Sequence, residues 1–187
     1  MRKKIISNEL ILKIASEIII QKNIDHCNMR SISKELGVAV GTLYNYYQSR
    51  NQLLIDLFEK SWTLTINRLW DIQKLEIPFE EKMVTLIEKI YEDISNRGGL
   101  GYELMKISKK GVDDLNHTHF EKFTESMLNI FYDVNVENYN KLGVTFKEKE
   151  LRLLTRCFFA LVNTSIESKE KLTPTEIKFL ICKLFIV

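Results

Sequence analysis

Thr42, Tyr44, Asn45 and Tyr46 fall within one five-residue stretch, with Val40 and Gly41 just before it and Arg30 and Arg50 on either side. Hydroxyl, phenol, amide and guanidinium groups in this combination make neither a nucleophile nor a metal-ligand set. They are hydrogen-bonding groups suited to phosphate oxygens and to base edges in a major groove. Asn45 is the candidate for base readout, because an amide pairs with adenine through two bonds. Arg50 is the candidate phosphate contact, since guanidinium binds phosphate bidentately. Elsewhere the chemistry is sparser. His117 and His119, near Asp113 and Asp114, are spaced so that they leave a helix on different faces, and no third His or Cys is close; a solvated loop is expected there. His26 and Cys27 are adjacent, so their side chains diverge, and no oxyanion donors accompany them. Gly98-Gly99-Leu100-Gly101 lacks the Lys-Ser/Thr that completes a phosphate loop. No catalytic residue, cofactor or metal is expected, and the chain does not read as an enzyme.

The polar stretch must be presented by a short helix behind a tight turn. A first short helix, Met29 to Leu36, has Ile32, Ser33 and Leu36 as inward positions, and Asn28 is placed to cap it. Gly37 follows, where the chain reverses and a left-handed residue is favoured. Val38 plugs the turn, and Leu43 and Tyr47, four apart, face back to the core. The outer arc is left to Gly41, Thr42, Asn45 and Tyr46, with Tyr44 on its flank. That is the arrangement of a helix-turn-helix, whose second helix enters the major groove.

The run Ser31 to Phe58, SISKELGVAVGTLYNYYQSRNQLLIDLF, resembles the DNA-binding signature of the TetR family of bacterial transcriptional regulators. Ile32-Ser33, Gly37-Val38, Gly41-Thr42-Leu43-Tyr44, Tyr46-Tyr47, Ser49-Arg50 and Leu53-Leu54 occupy the family's positions. The resemblance covers roughly the first third of the chain and implies a homodimer on a double-stranded, pseudo-palindromic DNA operator. It also implies a small apolar or amphipathic effector bound among the middle helices, which releases the operator. Three departures matter. Ala39 stands where a capping Ser or Thr is common, Val40 where a polar or basic residue is frequent, and Arg50 where Lys is usual. The missing cap leaves room for a second reading, a TetR-like interaction protein that has lost operator binding and pairs with another regulator.

The rest of the chain reads as all-α, about nine helices in total. A helix-turn-helix domain is expected over residues 1–50 and a helical ligand-binding and dimerisation domain over 51–187. Only two prolines and seven glycines occur in 187 residues, which disfavours a turn-rich β-protein. Ser7 or Asn8 caps the first helix; Ser49-x-x-Gln52, Thr145-x-x-Glu148 and Thr173-x-x-Glu176 read as capping boxes. Residues 1–52 carry eight Lys and Arg against four Asp and Glu, net +4, while residues 53–187 carry nineteen against twenty-one, net −2. A basic head on a mildly acidic body fits one DNA face and one domain with other duties. No signal peptide or membrane span is expected, and three scattered cysteines read as buried thiols in a reducing cytoplasm.

Two further surfaces are expected. Trp62, Trp70, Tyr91, Tyr102, Phe123, Met127 and Phe131 form an aromatic and thioether store that core packing explains first. Under the TetR resemblance they would line the effector pocket. Leu154, Phe158 and Leu161, with Ile177, Leu180 and Leu184 on the last helix, form apolar stripes that cover too much of their helices for one packing face. A two-fold four-helix bundle would bury them.

Overall fold

The computed structural model describes residues 6–98, 100, 114–168 and 170–185. Among them are eight α-helices, one 3-10 turn and no strand. About nine were expected; residues 99 and 101–113 lie outside the described part.

Helix α1, Asn8–Lys22, opens on Ser7, whose hydroxyl oxygen accepts the Leu10 N–H at 3.2 Å, so Ser7 rather than Asn8 is the cap. It buries Ile11, Leu12, Ala15, Ile18 and Ile19. A 3-10 turn over Ile24–His26 leads to α2, Met29–Leu36, which Asn28 and Ser31 close at its start in a reciprocal box. Gly37 takes φ 69°, the left-handed conformation expected of it, and Val38 N–H closes the turn on Ser33 O at 3.0 Å. Helix α3 is short, Val40–Tyr44, and its cap, Ala39, makes no side-chain bond.

Helices α4, Arg50–Gln73, and α5, Phe79–Asn96, are long; α6 spans Asp114–Leu142, α7 Glu148–Glu167 and α8 Pro174–Leu184. Two expectations about their ends change. His117 and His119 lie within α6 rather than in a loop. Thr145 does not cap α7: the cap position is Lys147, which puts Glu148 at the first helical residue instead of the third, out of register for a box. Thr173 and Glu176 do form one, with Pro174 at the first position of α8. At α4 the box is half formed. Ser49 accepts the Gln52 N–H, but the Gln52 side chain reaches back to Gln48.

The chain divides into two compact units, Met1–Thr63 with Ile94–Phe120, and Leu64–Asp93 with Glu121–Val187. In the first, Ile11, Ala15, Ile32, Leu43, Leu53 and Leu54 are fully buried. The end of α5 is seated on α1 there: a Cβ added at Gly98 would come within 2.8 Å of the Ile19 side chain. Arg97 stacks its guanidinium 4.0 Å above the Trp62 ring and donates to Ser61 Oγ at 3.0 Å. In the second unit the core is aromatic, with Phe131 and Phe185 each edge-on to Phe158 at 6.0 and 5.7 Å. Two of its buried charged groups are paired across helices. Asp93 accepts from Thr65 at 2.6 Å and Arg68 at 3.0 Å, and Lys82 donates to Gln73 O and Glu137.

Candidate nucleic-acid interface

Everything that fixes the polar face lies in the first unit. Ile32, Ser33 and Leu36 of α2 and Leu43 of α3 are buried, and Tyr47 is 3% exposed, as the spacing predicts. Tyr47 is held further by its hydroxyl, which donates to Asp56 of α4. Burial first, then the neighbouring Asp56 carboxylate, raises the pKa of that phenol well above its usual value, so it stays protonated and donating.

With that inner side anchored, Arg30, Gly41, Tyr44, Asn45 and Tyr46 are exposed, and Val40 and Thr42 are half-buried. Tyr44 is 50% exposed, its phenol ring left largely open among the described residues. Asn28, Met29, Arg30, Val40, Tyr44 and Arg50 together line an open cleft across the start of α2 and the face of α3. At Gly41 an added Cβ would meet nothing within 4 Å. The head's own packing therefore does not require glycine there, whereas a partner approaching the α3 backbone closely would.

Two residues of the expected face do something else. Arg50 is half-buried and turned into the head: Nε donates to Cys27 O at 2.7 Å and Nη2 to Ile24 O at 2.9 Å. Its fork matches the two carbonyls that face it from the 3-10 turn, so it ties the first turn of α4 to the α1–α2 connection. Sequence reasoning saw the charge but not these carbonyls, which are distant in the chain. Cys27 beneath it is fully buried, and burial pushes its thiol up to about 11, so it is no nucleophile. Tyr46 donates its hydroxyl to Ile6 O at 3.0 Å, a contact forty residues apart in sequence.

The remaining expected sites are scattered. Trp62 is buried in the first unit, against Phe58. Tyr91, Met127 and Phe131 are buried in the second, where Trp70 and Phe123 are half-buried; Tyr102 lies outside the described residues. Tyr91 is engaged by Ser165 at 2.6 Å and by the Leu172 N–H at 3.2 Å. On the last two helices Phe158 and Ile177 are wholly buried in the chain's own core and Leu154, Leu180 and Leu184 are half-buried. They cannot all face a partner. Leu161, at 45% exposed, does face outward, as do Leu153 at 61% and Phe179 at 59%, together with Cys157 and Cys182. The expectation of three buried thiols thus holds only for Cys27, since apolar packing within one chain saturates before it reaches the outer stripe of α7 and α8.

Against this geometry, the sequence model of the bacterial regulatory proteins of the tetR family matches residues 11–57, the stretch that builds α1, α2, α3 and the start of α4. Over this stretch the chain is similar to the tetR family's DNA-binding segment. The fatty acid metabolism regulator protein of Bacillus subtilis is 30% identical over 79 residues, covering 42% of this chain and 41% of that protein. An HTH-type transcriptional regulator of Staphylococcus aureus is 24% identical over 136 residues, 72% of this chain and 70% of its own length. The chain spans less than half the length of the first two curated relatives it matches, 41% and 31%. The TetR-like fold extends over nearly the whole chain. A transcriptional regulator from Rhodococcus sp. RHA1 superposes with TM-score 0.74 at 10% identity, covering 97% of this chain and 95% of that one. FadR of Bacillus subtilis, in complex with stearoyl-CoA, superposes with TM-score 0.64 at 18% identity, covering 97% and 100%. No helix among the described residues is long and apolar enough to cross a membrane.

Proposed function

We propose that this chain is a TetR-family regulator, a sequence-specific, DNA-binding transcriptional repressor that acts as a homodimer and is released from its operator by a small amphipathic effector. The observation that carries the DNA reading is the outer face of α3. Gly41, Tyr44 and Asn45 are exposed, their neighbours Leu43 and Tyr47 are locked inward, and the family match coincides with the same segment. Asn45 is the residue assigned to base readout, and Arg30, Val40, Thr42 and Tyr44 flank it. Residues 1–50 are the proposed DNA-binding domain and residues 51–187 the effector and dimerisation domain.

The dimer surface is redrawn from the expected stripe. Leu153, Cys157 and Leu161 follow one another at four-residue steps along α7, and Phe179 and Cys182 lie three apart on α8, all exposed. Isolated exposed leucines are ordinary, but apolar groups repeating at helical spacing on two adjacent helices suit a self-complementary contact. Two heads are what a pseudo-palindromic site demands. For the effector, the aromatic residues of the middle helices favour a long apolar chain. A fatty acyl-CoA is the compound to test first, in view of the fatty-acid regulators among the relatives and fold neighbours.

The experiment is a binding titration of the full chain against duplexes recovered from a randomised pool, over a range of salt concentrations. A specific complex, weakened as salt rises and dissolved by stearoyl-CoA, is the expected result. Binding without sequence preference would remove operator recognition and favour the alternative of a regulator that works through protein partners, a reading to which the uncapped Ala39 lends its support. Specific binding that is indifferent to acyl-CoA would leave the DNA reading and remove the effector class.

A further inference from the structure

The leading turn of α3 carries no side-chain hydrogen-bonding group. Ala39, at the cap position, makes no side-chain bond, and Val40 and Gly41 follow as the first two residues of the helix. The N-terminal residues of a recognition helix are the ones that meet base edges. The side chains at this end of α3 can therefore read DNA only by shape and apolar contact. The hydroxyl of Thr42 and the amide of Asn45 come later in the helix.

Val40 is placed for such a contact. Leu43 and Tyr47 are buried, which fixes the rotation of the helix. Val40 is half-buried and lines the open cleft together with Tyr44 and with Arg30 of α2. Residues four apart lie one above the other on a helix, so Val40 and the Tyr44 ring share one side of α3. Next to them Gly41 has no Cβ, and one added there would meet nothing within 4 Å. A groove can thus come close to the backbone beside Val40, whose side chain is not shut in the core as Leu43 is, at 0% exposed.

What a valine can meet in a major groove is restricted. Guanine, cytosine and adenine present hydrogen-bond donors and acceptors there, and thymine alone projects an apolar group, its C5 methyl. A donor or acceptor pressed against Val40 would give up water and gain no partner. The geometry points to Val40 as a specificity residue that takes a thymine methyl group, with Tyr44 walling the same notch, so that each half-site carries one thymine recognised by its methyl. The role rests on the DNA-binding reading above: Asn45 reads through hydrogen bonds, and Val40 through an apolar contact on the same helix.

The test uses the full chain and duplexes that the wild type recovers from a randomised pool, resynthesised with each thymine in turn replaced by deoxyuridine. That exchange removes one methyl group and leaves every donor and acceptor of the base in place. At one position per half-site it should weaken wild-type binding about fourfold, the effect of uncovering one buried methyl group, and about sixteenfold when both half-sites carry it. Val40→Ala should bind the thymine and deoxyuridine duplexes nearly alike at that position, because the two changes remove the two halves of one contact. Asn45→Ala should keep the fourfold step there. A thermal melt checks that Val40→Ala is folded, and the wild-type scan needs no variant.

A wild type indifferent to deoxyuridine at every thymine overturns the methyl contact and leaves the DNA reading standing, since specific duplexes were recovered. A deoxyuridine step that persists undiminished in folded Val40→Ala overturns the assignment to Val40. A wild type that recovers no preferred duplex from the pool overturns the DNA reading itself, and the role of Val40 with it.

Discussion

Replacing Arg50 by Ala separates two roles that the same side chain could play. On sequence it is a phosphate contact; in the structure its Nε and Nη2 serve Cys27 O and Ile24 O at 2.7 and 2.9 Å. A hydrogen bond involving a charged group contributes about 1.5–3 kcal/mol, and here two are lost together. The side chain is only half-buried, so water can re-solvate the carbonyls in part, and Ile24 O keeps the Cys27 N–H at 3.0 Å. We expect a net loss of about 2 kcal/mol in the stability of the head. Arg50→Lys should recover less than half, since an ammonium can reach one carbonyl but lacks the fork for two. Urea unfolding followed by circular dichroism, with amide exchange at the α1–α2 connection, measures this directly. Exchange should quicken around Cys27 before the rest of the head opens. Operator affinity should fall by the fraction of heads that are disordered, with the salt slope intact. An Arg50→Ala protein of unchanged stability, whose slope drops by about 0.9 per head, would refute the clamp and restore the phosphate contact.

Other perturbations reach the rest of the chain. Gly98→Ala forces a Cβ to within 2.8 Å of Ile19 at φ +53°, and should lower stability by about 1–3 kcal/mol in a thermal melt; a neutral result would mean that the end of α5 is not packed on α1. Asp93→Asn should cost about 2 kcal/mol near neutral pH, because Thr65, Lys89 and Arg68 lose a carboxylate that is 5% exposed. Burial would raise the pKa of Asp93, but Thr65, Lys89 and Arg68 outweigh it and hold it below its ordinary value. Its contribution is therefore complete above about pH 4 and lost as pH falls further, so the gap between Asp93→Asn and wild type should close in acid and stay constant above it. Leu153→Glu and Phe179→Glu should give folded monomers by sedimentation, whereas Phe158→Glu, in the core, should not fold; a dimeric Leu153→Glu, Phe179→Glu double variant would move the interface elsewhere.

The helix-turn-helix was legible in the amino-acid sequence because local rules govern it. Asn28 caps, Gly37 turns, and Ile32, Leu36, Leu43 and Tyr47 recur at helical spacing, so each residue's place follows from neighbours three to five positions away. The all-α class and the start of α8 at Thr173 follow in the same way. Thr145 shows the limit: its motif is intact in sequence, but the backbone enters α7 two residues later. Three-dimensional contact alone decided what Arg50 and Tyr46 do, since their partners at Ile24, Cys27 and Ile6 lie 23 to 40 residues away. It also decided which apolar residues of α7 and α8 are core and which are surface. Phe158 and Leu161 sit on one stripe in sequence, yet one is fully buried and the other 45% exposed. A stripe tells how wide the apolar face is; only the neighbouring helices tell which part of it this chain can cover by itself.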